Sequence, residues 1–252
     1  MAAFDFAKVK DPTFFKENVL NAHASFRTYA SREEYRTGSS SLALKLDGIW
    51  KFAYAKNYTS AIPGFEKTDY DCSGWDDIHV PAHIQMEGYD IPQYANVQYP
   101  WDGREEVHPG EIPQRFNPVA SYVKYFELPE SMQGKSVHIE FEGVESGMAL
   151  WLNGSYVGYT EDSFSAHYIR SDSLSPAGRE QTCCAGSSSG LPPAGAKIRT
   201  SSASPASSAA CGCTPSPPCI WKIYPSKRCL PGMILLIPRW KLHCRWRVRA
   251  QP

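Results

Sequence analysis

The sequence predicts an all-β fold, a jelly-roll β-sandwich over residues 41–174, followed by a disordered C-terminal tail. Several segments alternate apolar and polar residues with period two, turn residues separate them, and helical periods are few. Many short strands joined by turns are typical of sandwiches and jelly rolls. We therefore divide the 252 residues into an extended arm (1–40), the sandwich (41–174) and a tail (175–252).

The predicted strands follow one another closely along the chain. In order, they are residues 42–46, 49–54, 121–128, 137–141, 148–152 and 156–159. Alternation within 137–141 directs Val137, Ile139 and Phe141 to one face, so Glu140 and Glu142 are expected on a solvated face. Between the last two strands, Asn153-Gly154 predicts a hairpin, because both residues tolerate the positive φ of a tight primed turn.

The stretch from 75 to 118 differs from the rest of the sandwich. It is dense in Pro, Tyr, Gly and Asn and shows neither period, and long loops of this kind are usually functional or docked on a partner. Its aromatic side chains either stack on sugar faces or pack the loop onto the sandwich. For any one of them packing is the favoured alternative. The four aromatic side chains in question are Tyr89, Tyr94, Tyr99 and Trp101.

The formal charge of zero conceals two unlike regions. Residues 1–174 hold 25 acidic and 15 basic side chains, whereas residues 175–252 hold one acidic and 11 basic ones. No apolar run is long enough for a membrane-spanning helix, and the N-terminus lacks the apolar stretch of a secretory signal. We therefore expect a cytoplasmic protein that has no contact with membranes.

Three sequence blocks occur in a characteristic order within residues 4–174. The first reads LDGIWKF (46–52), the second runs from Trp75 to Pro100 with YANVQYP at its end, and the third includes FEGVES, WLNG, VGY and EDS between 141 and 163. In this combination they resemble the N-terminal sugar-binding domain of β-galactosidases in glycoside hydrolase family 2. One departure is His83-Ile84, where that family commonly shows Asn-Trp.

The resemblance implies a galactose-binding-domain-like fold and three binding residues. Asn96 and Val97 match the loop that reaches into the galactose site of a neighbouring barrel. Asp162 matches a carboxylate that contacts the galactosyl hydroxyls and helps to hold a sodium ion. The chemistry agrees, because an amide both donates and accepts hydrogen bonds and a carboxylate is a hard oxygen ligand. From the residues alone, Asn96 as a turn residue and Asp162 as an Asx cap remain open.

By resemblance, the activity is hydrolysis of terminal non-reducing β-D-galactosides such as lactose. Retaining glycosidases need two carboxylates about 5 Å apart, and in this family both are glutamates on a barrel far downstream of this domain. We assign no catalytic residue and expect this chain to be inactive alone. The complete enzyme is expected to use sodium and magnesium and to form a homo-oligomer. Two alternatives are a free-standing carbohydrate-binding module that uses residues 89–101 and a non-catalytic scaffold.

The tail has a different origin from the sandwich. Its cysteine spacings do not fit a zinc site, and its Arg-rich end (239–249) is not assigned to nucleic acid. Reading synonymous codons of residues 196–208 two bases later permits EDQDFFRFSGIF, which resembles a motif that the family shows after its sugar-binding domain. We therefore hypothesise a frameshift, in the gene or in its sequencing, at or just after residues 175–187. Such a tail offers too little apolar burial to fold.

Overall fold

The computed structural model describes residues 4–11, 13–23, 27–90, 103, 105–108, 111–115, 117–133, 135, 137–144, 147–161, 165–171, 179–187 and 221–225. The strands within them are β1 (Lys16–Glu17), β2 (Leu44–Lys45), β3 (Gly48–Ala55), β4 (Asp76–Val80), β5 (Val119–Glu127), β6 (Val137–Phe141), β7 (Gly147–Leu152), β8 (Ser155–Thr160), β9 (His167–Ser171), β10 (Arg179–Ser187) and β11 (Trp221–Pro225). One α-helix, α1, spans Arg32–Thr37, and 3-10 turns span Phe6–Lys10, Tyr58–Ser60 and Glu130–Met132.

The strands form two antiparallel sheets. The large sheet has the order β1-β8-β7-β10-β5-β3-β4, and the small sheet has the order β2-β11-β6-β9. Strands dominate the described residues, which confirms the predicted all-β sandwich.

Apolar side chains cover both faces of the large sheet. One cluster lies between the two sheets and joins Trp50 and Leu150 of the large sheet to Ile139 and Ile169 of the small one. A second cluster covers the opposite face of the large sheet and includes Trp151. Each fully buried aliphatic or aromatic side chain contributes about 1.5–3 kcal/mol, so the large sheet is held from both sides.

The β7–β8 hairpin confirms the strongest turn prediction. Asn153 and Gly154 both adopt positive φ, 47° and 76°, as a primed turn requires. Among the described elements, α1 and five strands (β1, β4, β9, β10 and β11) were not predicted. The predicted arm contains α1, which Ser31 caps by accepting a hydrogen bond from the Glu34 amide. The stretch from 75 to 118, for which no strand was predicted, begins with β4.

The prediction that Glu140 lies on a solvated face is wrong. Glu140 is only 4% exposed, and its carboxylate accepts a hydrogen bond of 2.6 Å from the Tyr168 hydroxyl. The N-terminal arm runs along β9 at this point: Leu20 donates its amide to the Tyr168 carbonyl, and the His23 ring lies 4.4 Å from the Tyr168 ring. The alternation was read correctly, but it does not reveal that the arm covers this face. Glu142 is half-buried.

Two strands lie beyond residue 174, where the sandwich was predicted to end. β10 takes the central position of the large sheet, and β11 pairs with β2 and β6 in the small one. The domain boundaries stay predictions. The remainder of 175–252 lies outside the described residues.

Candidate binding site

The three predicted binding residues belong to two loops. Asn96 and Val97 lie in residues 91–102, here called the first loop, and Asp162 lies in residues 161–166, the second loop. All three residues fall outside the described part of the chain. The structure does describe the residues from which both loops arise.

Both loops start at the same end of the large sheet. Tyr54, near the end of β3, and Thr160, at the end of β8, belong to one rung of paired residues. That rung runs from Tyr54 to Ala120, Gly186, Met148 and Thr160. Four strand spacings separate its ends, a distance of about 19 Å. Backbone pairing therefore places the starts of the two loops at the same end of the sandwich, four strands apart.

The first-loop stem consists of Tyr54, Asp76, Tyr89 and Asp90. Besides burial, the carboxylate of Asp90, the last described residue before the first loop, raises the pKa of the Tyr54 hydroxyl through its negative charge. The Tyr89 hydroxyl donates a 2.9 Å hydrogen bond to Asp76 Oδ2 on β4. Its ring meets the buried Phe52 ring edge-on at 4.5 Å, so the segment that leads into the first loop is fastened to β3 and β4.

The second-loop stem consists of Tyr159, Thr160, Glu161 and His167. Thr160 Oγ1 lies 3.0 Å from Nδ1 and 3.1 Å from Nε2 of His167, so the two residues that flank the second loop are joined. Both are buried. The Tyr159 hydroxyl donates a 2.8 Å hydrogen bond to Glu161 Oε1, directly before Asp162.

Aromatic packing fixes Tyr159 within this stem. Its ring stacks on Phe4 at 5.3 Å and on Phe14 at 5.2 Å, and its side chain is 1% exposed. Aromatic contacts of this kind add about 0.5–1.5 kcal/mol each beyond burial. The arm therefore holds the second loop through Tyr159.

The tyrosines of both stems are protonated donors at neutral pH. Burial raises the pKa of Tyr159, and the Glu161 carboxylate raises it further. Burial and the Asp90 carboxylate likewise raise the pKa of Tyr54. Each neutral hydroxyl can donate to its carboxylate partner, whereas a phenolate would repel it.

The His, Cys, Asp and Glu side chains of the described residues are dispersed. Over this part of the chain, no group of three or more His, Cys, Asp and Glu side chains is placed to hold a metal ion. Asp162, the predicted sodium ligand, lies outside the described residues. The buried Glu140 is occupied by Tyr168 on the small sheet.

Sequence reasoning missed the anchoring residues. Tyr54 and Asp90 are far apart in the chain, and no local pattern joins them. Tyr159 lies in β8 and Glu161 directly follows the end of that strand, so an extended backbone would place both on one face, and this spacing was a usable signal. For Tyr89 the packing alternative is confirmed, since its ring lies against Phe52. The other three candidate aromatics, Tyr94, Tyr99 and Trp101, lie outside the described residues.

No helix in the part of the chain that the structure describes is long and apolar enough to cross a membrane.

A two-sheet antiparallel sandwich of this kind belongs to the class of β-sandwich domains, which includes jelly rolls. Residues 43–180 match the sequence profile of glycosyl hydrolases family 2, sugar binding domain. The chain belongs to this family, as its sequence blocks predicted.

The related proteins are β-galactosidases. The chain is 42% identical over 156 residues to that of Streptococcus thermophilus. It is 46% identical over 157 residues to that of Halalkalibacterium halodurans, and each of these matches covers 62% of the chain. A third match, to the β-galactosidase of Lactobacillus delbrueckii subsp. bulgaricus, is 42% identical over 160 residues and covers 64% of the chain. The chain spans only 15–16% of the length of these relatives.

Proposed function

We propose that the chain is the sugar-binding part of a β-galactosidase, an enzyme that hydrolyses terminal non-reducing β-D-galactosides such as lactose. In this proposal Asn96, Val97 and Asp162 contact the galactosyl unit, and a separate catalytic barrel supplies the two glutamates. The relatives named above are all β-galactosidases, which supports this substrate class.

The observation that carries the proposal is the shared rung of Tyr54 and Thr160. Residues from two loops act on one ligand only if the loops start near each other, and this rung brings their stems to one end of the sheet. The roughly 19 Å between the stems is within reach of a 12-residue loop, because an extended chain spans up to about 3.3 Å per residue. Each stem then fixes the point on the sheet from which its loop starts.

Asp162 is the proposed ligand for sodium. A carboxylate suits a hard cation, and the neighbouring Glu161 is already engaged by Tyr159, which leaves position 162 to serve the cation. One carboxylate does not complete a coordination shell, so the remaining oxygen ligands would come from the barrel and the sugar. Magnesium and the assembly of a homo-oligomer are likewise proposed for the complete enzyme.

A chimera tests the binding roles. The matching segment of the Halalkalibacterium halodurans β-galactosidase is replaced by the corresponding residues of this chain, and kcat/KM is measured with a chromogenic β-galactoside. We expect the chimera to be active. Asp162→Asn should lower kcat/KM roughly 10- to 100-fold, because hydrogen bonds to a charged group contribute about 1.5–3 kcal/mol. Asn96→Ala should lower kcat/KM as well, and Asp162→Asn should also abolish the response to sodium.

Asp69→Asn provides the matched control, since Asp69 is exposed on the segment before β4. It removes the same charge without touching either loop, and kcat/KM should stay within about twofold. The binding roles are refuted if the Asp69 and Asp162 variants of an active chimera lose activity equally.

The chain alone distinguishes this proposal from a free-standing carbohydrate-binding module. We expect no hydrolysis of the chromogenic galactoside, and weak or no heat of binding with galactose or lactose in titration calorimetry. The reason is that this domain supplies only part of the proposed site, and the barrel supplies the rest. Tight binding of galactose by the chain alone would instead favour the independent module.

A further inference from the structure

β10 occupies a central position in the large sheet, here called the central slot. Residues Arg179 to Ser187 pair with β5 along their whole length, and Thr182 to Ser187 also pair with β7. Among the described strands, β10 alone joins β5 to β7. The strand in this slot therefore connects the two halves of the sheet.

The neighbours of the central slot are apolar on both faces. Cys183 lies opposite Val123 and Trp151, which belong to the cluster on the outer face of the large sheet. Cys184 lies opposite Tyr122 and Leu150, which pack in the cluster between the sheets. All six residues of β7 are buried. A strand covered on both faces is normally an almost continuous run of large apolar residues.

The sequence of β10 does not meet this requirement. REQTCCAGS contains no Val, Ile, Leu, Met, Phe, Tyr or Trp, although these are the residue types that fill buried strands. A conflict between local sequence and tertiary position is unusual in a natural core, where the two levels agree.

A shifted reading frame of the same codons encodes a strand that is more apolar. Read two bases later, as for residues 196–208, the codons of Cys183-Cys184 give leucine whichever synonymous codons are used, because TTG and CTG both encode leucine. Thr182-Cys183 gives Leu, Met or Val. The codons from Gly186 to Ser188 permit Val and Phe. Over residues 181–188 the shifted frame therefore permits NLLCRVF. It encodes leucine where the frame of the printed sequence, here called the visible frame, encodes cysteine.

We infer that the central slot is an acceptor site for an extended apolar strand, and that the chain captures such a strand in trans in place of β10. The partner is an unstructured peptide with Leu, Val and Phe directed at the two clusters. Its main chain pairs with β5 and β7 by strand addition, and its side chains provide selectivity. If this is correct, the reading frame changes before Gln181. The inference does not depend on galactoside binding.

Peptide capture by the full chain tests this directly. The chain is unfolded in urea under reducing conditions and refolded with fluorescent GTNLLCRVFKW, with the visible-frame peptide REQTCCAGSSS, or with a scrambled GTNLLCRVFKW. We expect the shifted-frame peptide to bind at least tenfold more tightly than either control, by fluorescence anisotropy. It should also raise the urea midpoint as its concentration rises, because it binds only the folded state.

A second variant carries the shifted-frame strand within the chain, in place of residues 179–187. Its urea midpoint should rise by about 0.5 M or more, and it should no longer capture the labelled peptide, because its slot is filled. Equal affinity for the three peptides overturns the inference. So does a variant whose midpoint stays the same or falls, including one that does not fold.

Discussion

The first-loop stem and the second-loop stem lie at one end of the large sheet, yet their surroundings differ. In the first, Tyr89 is half-buried and donates to Asp76 at the surface. In the second, Thr160 and His167 are buried, and Tyr159 is 1% exposed between two phenylalanine rings. The first stem leads into a long loop and the second into a short one.

In the proposed binding site, one loop would leave from a buried stem and the other from a stem at the surface. A hydrogen bond in a buried, low-dielectric environment is stronger than one in contact with water, so the second-loop stem is tied to the stability of the sandwich. In the first-loop stem, Tyr89 makes its hydrogen bond at the surface. We expect substitutions in the second stem to lower the free energy of unfolding by more than substitutions in the first.

The largest effect is expected at Tyr159. Tyr159→Ala removes a buried ring from between Phe4 and Phe14 and should lower the free energy of unfolding by about 3–5 kcal/mol, measured by urea titration. Tyr159→Phe keeps the ring and removes only the hydrogen bond to Glu161, so it should cost about 1 kcal/mol. If the two variants were equally stable, the stacking argument for this stem would fail.

The next largest loss of stability is expected at Gly158 on β8. A Cβ at this position would lie 2.9 Å from the Glu17 carbonyl oxygen of β1 and 3.0 Å from Ile169 Cγ2. Gly158→Ala should therefore displace β1 and lower the free energy of unfolding by about 1–3 kcal/mol. Gly74→Ala is the matched control, since its Cβ would meet nothing within 4 Å. A Gly74 variant as unstable as the Gly158 variant would contradict this expectation.

Alkaline pH should lower the free energy of unfolding by a similar amount, through the second-loop stem. The pKa of Tyr159 is raised in the folded state by burial and by Glu161, so its stabilising contribution is complete below the unfolded pKa of about 10 and is lost as pH rises above it. One such group lowers the free energy of unfolding by up to about 1.4 kcal/mol per pH unit there. Urea midpoints from pH 8 to 11.5 measure the loss. The Tyr159→Phe variant should show a shallower decline, and an identical decline would exclude Tyr159 as its source.

Thr160→Val tests the bond that joins the two flanks of the second loop. Valine keeps the shape of threonine but removes the buried hydroxyl near His167, which should cost about 1–2 kcal/mol in the free energy of unfolding. Thr68→Val, at an exposed threonine, should change it by less than about 0.5 kcal/mol. Equal urea midpoints for the two variants would show that the Thr160 contact adds no stability.

Tyr89→Phe should have the smallest effect. It removes only the surface hydrogen bond to Asp76 and keeps the ring on Phe52, so the free energy of unfolding should fall by about 0.5 kcal/mol. Tyr35→Phe, at a 43% exposed tyrosine on α1, is the control. A loss above about 2 kcal/mol at Tyr89 would remove the contrast between the stems.

Local sequence patterns predicted the parts of the fold that depend on neighbouring residues. Asn153-Gly154 specifies its own turn, and the alternation in 137–141 specifies which side chains face the core. They failed where distant segments decide the outcome: Glu140 is buried beside Tyr168, which the arm contacts at Leu20 and His23. β4 was missed because only three of its residues alternate clearly after Asp76.

The candidate site was predictable to a lesser degree. The blocks around Asn96 and Asp162 resemble those of a known family, and this resemblance alone gave them binding roles. The pairing of Tyr54 with Asp90 and of Thr160 with His167 depends on which strands are neighbours in the sheet. No pattern within one segment contains that information, because it arises only when the strands are assembled.

The central slot also has a consequence for how the protein is made on the ribosome. β5 and β7 precede β10 in the chain, so during synthesis the large sheet exists as two separate pieces until Ser187 has emerged. The apolar faces of both pieces are exposed in that interval, when aggregation and binding by chaperones compete with folding. Pairings between distant segments also form slowly. The rate at which translation passes residues 179–187 thus influences how much of the nascent protein reaches the native sandwich.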